Sequence, residues 1–260
     1  MTVKNGEDTI GETLSSILNQ RFKDFECIIV DDGSKDRTRQ IIEEINDSRI
    51  KYYSTTGVGR SRALNMALNK ATGSYVANND VDDPMHPDKL YFMNLVLEKN
   101  PNIGVLYTDT ILLTDNEIPK WDSYSEDYSY KLEILDDKLL MKRNPIPHSA
   151  VMFNLNQIKH LKYNEKILNN VDYELWFRLM KASHVFCRLN LKLSSKRIHK
   201  NQSYENKSRR RYLNNSVRVQ INGIRLLQGS KKYILMAYLR YLYGLLPNKI
   251  RMFRYKIKEL

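Results

Sequence analysis

Between residues 10 and 107 the hydrophobic pattern switches repeatedly between helical spacing and short continuous apolar runs, and this alternation constrains the fold more than any other feature. Ile10, Leu14, Ile17 and Leu18 share one helical face, and residues 25–30 (FECIIV) then read as a buried strand ending at Asp31-Asp32-Gly33-Ser34. Ser34 or Asp36 is placed to cap a following helix with Ile41, Ile42 and Ile45 inward. Residues 50–53 are the next short strand, and Gly57-Val58-Gly59 leads into a helix with Leu64, Ala67, Leu68 and Ala71 inward. A strand over 75–79, a helix opened by Pro87 with Leu90, Met93 and Leu97 inward, and a strand over 103–107 complete the series. The pattern predicts an α/β domain with a doubly wound, mostly parallel sheet. Ligands of such sheets bind beyond the carboxyl ends of the strands. Met1 to Gly6 read as the end of a strand followed at once by a helix, so the first strand is expected to be truncated and the sequence to begin inside the domain.

Hydrophobic residues make up 42% of the chain and aromatics 10%, enough for a packed core and against disorder. Cys27 and Cys187 lie far apart in apolar surroundings and are expected to be structural thiols. No signal peptide and no run of about 18 apolar residues is present, so a cytoplasmic location is expected. The net charge of +12 is unevenly distributed. Residues 181–260 hold 20 Lys and Arg against two acids, whereas residues 1–180 hold 22 basic and 28 acidic residues. The chain therefore divides into a body over 1–204 and a basic, tyrosine-rich, helical extension over 205–260. Residues 115–147 are polar and aromatic and read as a surface excursion.

Two acidic clusters directly follow strands and face one crevice. Hard divalent cations prefer carboxylate oxygens, and Mg²⁺ or Mn²⁺ in nucleotide enzymes takes one or two of them plus substrate phosphates. Asp80-Val81-Asp82-Asp83, broken by Pro84, offers such a set; the alternative is a solvated acidic turn capping the next helix. In Asp31-Asp32-Gly33-Ser34-x-Asp36, a carboxylate can accept a hydrogen bond from a nucleotide base while Gly33 permits a tight turn.

Over roughly residues 1–205 the ordered set of short motifs resembles the family-2 inverting glycosyltransferases of GT-A architecture. It comprises Asn5-Gly6-Glu7, Ser16-Ile17-Leu18-Asn19-Gln20, Phe22-Lys23-Asp24-Phe25-Glu26 and Val30-Asp31-Asp32-Gly33-Ser34. It continues with Gly59-x-x-x-Ala63-Leu64-Asn65, Ala71-Thr72-Gly73-Ser74-Tyr75, and Asp80-x-Asp82-Asp83 before Pro87-Asp88-Lys89-Leu90. The resemblance implies a nucleotide-sugar donor, with Thr2, Asp31 and Asp32 on the donor side and Asp32 on the uracil of a UDP-sugar. It implies Mn²⁺ or Mg²⁺ held by Asp82, with Asp80 near the ribose or metal and Asp83 in support. Leu64 stands where the family often has Arg, which leaves Arg60 or Arg62 for the diphosphate. Asn170-Val171-Asp172-Tyr173-Glu174-Leu175-Trp176 matches the motif carrying the general base, with Asp172 at the base position and Glu174 as the neighbouring alternative. A structural reading, in which Asp172 only caps a helix, stands beside it.

His148, in a segment similar to H-S-x-V-M-F, is implied to lie beside the donor sugar. His199, in one similar to R-x-H-x-x-x-S, is implied to touch metal or phosphate. The Q-x-x-R-W motif of processive members does not follow the Asp172 helix, so transfer of a single sugar is expected. The implied function is metal-dependent sugar transfer to a hydroxyl of a glycan or lipid-linked acceptor, as in surface polysaccharide assembly. A catalytically inactive nucleotide-sugar-binding protein and a sugar nucleotidyltransferase are the alternatives. The basic extension suits an anionic surface, which favours a peripheral position on the inner face of the cell membrane. No nucleic-acid motif accompanies it, and nucleic acid is the weaker partner; a solvated helical cap is the third reading.

Overall fold

The structure is a computed structural model and describes residues 1–114, 117–125, 128–198 and 209–246. The first half alternates as expected: β1 (Thr2–Val3), α1 (Ile10–Leu18), β2 (Cys27–Asp31), α2 (Thr38–Glu43), β3 (Ile50–Ser54), α3 (Arg60–Lys70), β4 (Tyr75–Ala77) and α4 (Lys89–Lys99). Then come β5 (Ile103–Leu113), β6 (Leu132–Ile134), α5 (Asp137–Lys142), β7 (Val151–Asn154), α6 (Val171–Lys181), β8 (Val185–Arg197), α7 (Arg209–Leu226) and α8 (Lys231–Leu245).

One sheet has the order β1-β2-β3 and is entirely parallel, because each connection is a helical crossover. The second has the order β4-β7-β5-β8-β6. In it β5 and β8 are parallel and the other pairs antiparallel. The strand end expected at Met1–Gly6 is present as the two-residue β1, with Thr2 opposite Val30 and the Met1 amine donating to Ile28 O at 2.9 Å. The longest pairing, from Ile103↔Val185 to Leu113↔Arg197, carries Lys196 and Arg197 to the carboxyl end of β5. That end is where the site forms.

The helical faces are those the spacing predicts: α1 buries Ile10, Leu14 and Ile17, and α4 buries Leu90, Met93 and Leu97. The N-cap residue of α2 is Arg37, and of the two expected caps only Asp36 touches the helix. Asp36 accepts from Thr38 N at 3.1 Å, whereas Ser34 Oγ accepts from Asn5 N at 2.8 Å and ties the β1 loop to the β2 turn.

The segment expected as a surface excursion is partly built into the domain. Leu132–Ile134 pairs with β8, α5 buries Leu140 and Met141, and the rings of Trp121 and Tyr124 each lie 5.4 Å from His86. A three-residue strand without a fully buried position carries too little apolar signal to be read from sequence.

Within the basic extension, helices α7 and α8 pack on the body. Val219, Ile221 and Ile224 of α7 join the core cluster of Trp176, Phe177 and Phe186. Contact is closest at Gly223, where an added Cβ would lie 2.1 Å from Phe177 Cδ2. Helix propensity alone would make Gly223→Ala favourable by about 1 kcal/mol. The overlap with a buried ring reverses the sign, and we expect net destabilisation of about 1–2 kcal/mol. A lower urea midpoint with unchanged slope is the expected result; an unchanged or raised midpoint would show that α7 does not bear on Phe177. No helix among the described residues is long and apolar enough to cross a membrane.

Candidate active site

The site is assembled by a chain of contacts that begins at the β2 turn. Gly33 has φ +80°, and an added Cβ would lie 3.0 Å from Gly57 N, so the β2 turn and the loop before α3 touch at a point that needs glycine. Asp32, buried beside it, organises that loop. Its carboxylate accepts from Thr55 Oγ1 and Val58 N, both at 2.7 Å, and from Gly59 N at 3.0 Å. The loop thereby delivers Arg60, the first residue of α3, to the second acidic cluster. Arg60 Nη2 lies 2.6 Å from Asp80 Oδ1.

Asp80 also meets His148 Nδ1 at 3.2 Å. His148 is 8% exposed, and its Nε2 accepts from Asn78 Nδ2 at 2.9 Å and from Tyr163 OH at 2.8 Å. Arg60 Nη2 also lies 3.3 Å from His148 Nδ1, so that ring nitrogen stands between the Arg60 guanidinium and the Asp80 carboxylate. Burial alone would raise the Asp80 carboxyl, but Arg60 and His148 outweigh it and hold the group well below the usual carboxylate range.

The remaining acids of this turn have different environments. Asp83 is 2% exposed and accepts from Ser149 Oγ at 2.6 Å and Arg197 N at 2.8 Å. Burial, together with the charges of Asp80 and Asp82, pushes its carboxyl up to about 7. It anchors the turn to β8 and the His148 segment instead of facing solvent. Arg197 completes the anchor. Its guanidinium reaches Glu12 at 2.7 Å and donates to the carbonyls of Asp82, Thr114 and Glu117, each at 3.2 Å. Asp82 is half-buried, and its backbone is held by Arg197.

Opposite the turn, Asp172 sits in the first turn of α6 and accepts from Asn144 Nδ2 at 2.8 Å. Glu174 is committed elsewhere: it pairs with Arg178 through both oxygens at 2.9 and 3.0 Å. The cation Lys196, half-buried on β8, was not marked by any sequence motif. Burial disfavours its charge, but Asp83, Asp80, Asp82 and Asp172 together outweigh that and raise its pKa. Its neighbours fix its place, since Ser195 Oγ donates to Pro84 O and Arg197 N donates to Asp83. Only its position directly before Arg197-Ile198-His199 could have drawn attention to it.

Of the residues named from sequence, Arg60, Asp80 and His148 are in direct contact, Asp32 holds the loop that delivers Arg60, Asp82 lies in the same turn as Asp80, and Asp172 opens α6 with Asn144 on its carboxylate. Asp31 lies beneath them, its carboxylate accepting from Ser34 N at 2.8 Å and Tyr52 OH at 3.0 Å. Thr2 lies on β1 beside β2. Arg62 points away and pairs with Glu165 at 3.3 Å. His199 lies outside the described residues.

Among the described residues no three or more His, Cys, Asp or Glu side chains form a metal-holding group. Asp80 and Asp82 are nevertheless a suitable donor set for Mn²⁺ or Mg²⁺, which takes one or two carboxylates and completes its shell with phosphate oxygens and water.

Carboxylates and two cations at the strand ends of an α/β scaffold with this element order are the arrangement expected of a GT-A domain. The sequence model of glycosyl transferase family 2 matches residues 1–156, and the chain belongs to that family. It is 31% identical over 189 residues to an uncharacterized glycosyltransferase of Methanocaldococcus jannaschii, covering 71% of this chain and 64% of that one. It is 28% identical over 182 residues to the UDP-Glc:alpha-D-GlcNAc-diphosphoundecaprenol beta-1,3-glucosyltransferase of Escherichia coli, covering 70% and 68% respectively. The chain thus spans just under two thirds of the archaeal relative's length.

Among solved structures, residues 1–349 of S. aureus TarS in complex with UDP-GlcNAc superpose with a TM-score of 0.66 at 19% identity, covering 84% of this chain and 63% of that fragment. The mannosyltransferase PcManGT of Pyrobaculum calidifontis, in complex with GDP-Man and Mn²⁺, gives 0.65 at 18%, covering 95% and 69%. At these identities the structures share the fold.

Proposed function

We propose that the chain transfers one sugar, with inversion, from a UDP-sugar to a hydroxyl of a glycan or lipid-linked acceptor in surface polysaccharide assembly, with a divalent metal. The observation that carries this reading is convergence: Arg60, Asp80 and His148, from distant parts of the chain, meet one another at 2.6, 3.2 and 3.3 Å. In this reading the unit over 1–204 binds donor and acceptor, and the extension over 205–260 is a separate element of which helices α7 and α8 pack on that unit. Asp32 keeps an unused lone pair on Oδ2 for the N–H of uracil while it clamps the loop. Thr2 flanks the base and Asp31 holds the turn. Arg60 and Lys196 receive the diphosphate, whose charge they neutralise as the leaving group departs.

Asp172 takes the acceptor proton as the hydroxyl oxygen attacks the anomeric carbon, and Asn144 orients the carboxylate by binding Oδ2. Mn²⁺ or Mg²⁺ on Asp82 would add Lewis-acid stabilisation of the leaving diphosphate. His148 positions Asp80 through Nδ1. The names of the relatives support the substrate classes: a UDP-glucose donor and a diphosphoundecaprenol acceptor belong to one, and UDP-GlcNAc and GDP-Man complexes to the neighbours. A lipid-linked acceptor would place the reaction in the cytoplasm at the inner face of the membrane.

Thermal shift with UDP, GDP, CDP and dTDP in the presence of Mn²⁺ tests the donor class, since a ligand that binds the native state raises its melting temperature. The largest rise is expected with UDP; a larger rise with GDP would overturn the base assignment. Lys196→Met is expected to weaken UDP about tenfold, the equivalent of one charge-assisted contact of about 1.4 kcal/mol. Lys196→Arg should recover most of it. Equal UDP affinity of the wild type and Lys196→Met, measured calorimetrically, would remove Lys196 from the diphosphate site.

A further inference from the structure

The outer face of α8 has no counterpart in the site described above. The helix turns Tyr233, Ala237 and Gly244 inward. Its opposite side presents Leu235, Leu239 and Leu242 at 61%, 56% and 57% exposure, with Tyr238 and Leu246 also exposed beside them. The spacing 235, 238, 239, 242 and 246 is that of one helical stripe, so these side chains form a continuous apolar ridge. A ridge of large aliphatic residues kept in water on a folded domain marks a surface that meets something.

Charge indicates what it meets. From 209 to 246 the chain has eight Lys and Arg and no Asp or Glu. Lys231 and Lys232, exposed at the start of α8, fall on the same side as the ridge by helical spacing. Two copies of the chain meeting through this face would bring like charges together without compensation, which disfavours a dimer. An anionic lipid surface compensates them. Leucines enter the acyl boundary, Tyr238 sits at headgroup depth, and the lysines extend their ammonium groups to the phosphates. α8 has 15 residues and is too short to span a bilayer, so it would lie flat.

We propose that the Leu235–Leu239–Leu242 face of α8 docks the protein on an anionic membrane surface. The placement has a functional corollary. α8 packs against α5, and Asn144, two residues beyond α5, holds Asp172. The membrane-facing helix is therefore linked through one short element to the carboxylate assigned to the acceptor. The docking itself does not depend on the donor or the reaction.

The test uses the full chain and co-sedimentation with vesicles of phosphatidylcholine alone or mixed with phosphatidylglycerol. The wild type is expected to sediment with the anionic vesicles at least tenfold more than with the neutral ones. The combined variant Leu235→Glu, Leu239→Glu, Leu242→Glu should lose that binding with its melting temperature unchanged, because the three side chains are exposed in the folded protein. Equal sedimentation of wild type and variant with anionic vesicles would overturn the role of the ridge. A wild-type dimer in light scattering that the variant converts to monomer would assign the face to a second copy of the chain and overturn the lipid proposal.

Discussion

Asp172→Asn is expected to lower kcat by about two to four orders of magnitude, the range general-base removal produces, while UDP affinity stays within a factor of two. The amide keeps the shape of the carboxylate and can still meet Asn144, which donates to Asp172 Oδ2 at 2.8 Å in the wild type. What it loses is the capacity to take a proton. Glu174 is the control. Both of its oxygens are held by Arg178, so Glu174→Gln should change kcat by only a fewfold and act mainly on stability. If Asp172→Asn retains most of its activity and Glu174→Gln does not, the two roles are exchanged. If Asp172→Asn loses UDP affinity as well, the residue belongs to the donor site and not to the acceptor side.

The second large effect is expected at the metal ligand. Asp82→Ala should remove the Mn²⁺-dependent part of UDP binding and lower kcat/KM a hundredfold or more, since a metal on a leaving diphosphate contributes several kcal/mol. The Asp82 carbonyl that accepts from Arg197 is kept by the substitution. Asp83→Ala separates structure from chemistry in the same turn. Its carboxyl is buried against Ser149 and Arg197, so removing it leaves buried donors without an acceptor and should lower the melting temperature. An Asp82→Ala protein with full Mn²⁺-dependent UDP binding would move the metal to Asp80 or to residues outside the described part of the chain.

The sequence showed the acids of this site more readily than the cations. Asp32, Asp80, Asp82 and Asp172 each follow a recognisable pattern at a strand end or helix start, and Asp32 is linked to Asp80 through the loop that carries Arg60. What the patterns did not distinguish is occupation. Asp31 and Asp83 look like functional carboxylates in sequence, yet each is consumed by local hydrogen bonds. Lys196 had no pattern because a lone lysine in a strand is usually solvated; its meaning comes only from the carboxylates around it. Arg197 opens the segment similar to R-x-H-x-x-x-S, and burial and its bond to Glu12 assign its guanidinium to holding the turn.

The fold followed the same rule. Helices with a clear apolar face, such as α1 and α4, were read within a residue or two. The antiparallel pairs of the second sheet join strands distant in sequence, and β6 has only three residues. Neither carries enough local signal to be read before the partner strands are in place.

The central claim is that this family-2 domain breaks the bond between a sugar and a nucleoside diphosphate with the help of Asp82. The direct measurement is release of UDP from a UDP-sugar panel by the purified chain with Mn²⁺, alongside Asp82→Ala and a parallel assay for pyrophosphate from nucleoside triphosphates plus sugar 1-phosphates. The account predicts Mn²⁺-dependent UDP release that Asp82→Ala abolishes, and no pyrophosphate. Pyrophosphate formation without UDP release would contradict it.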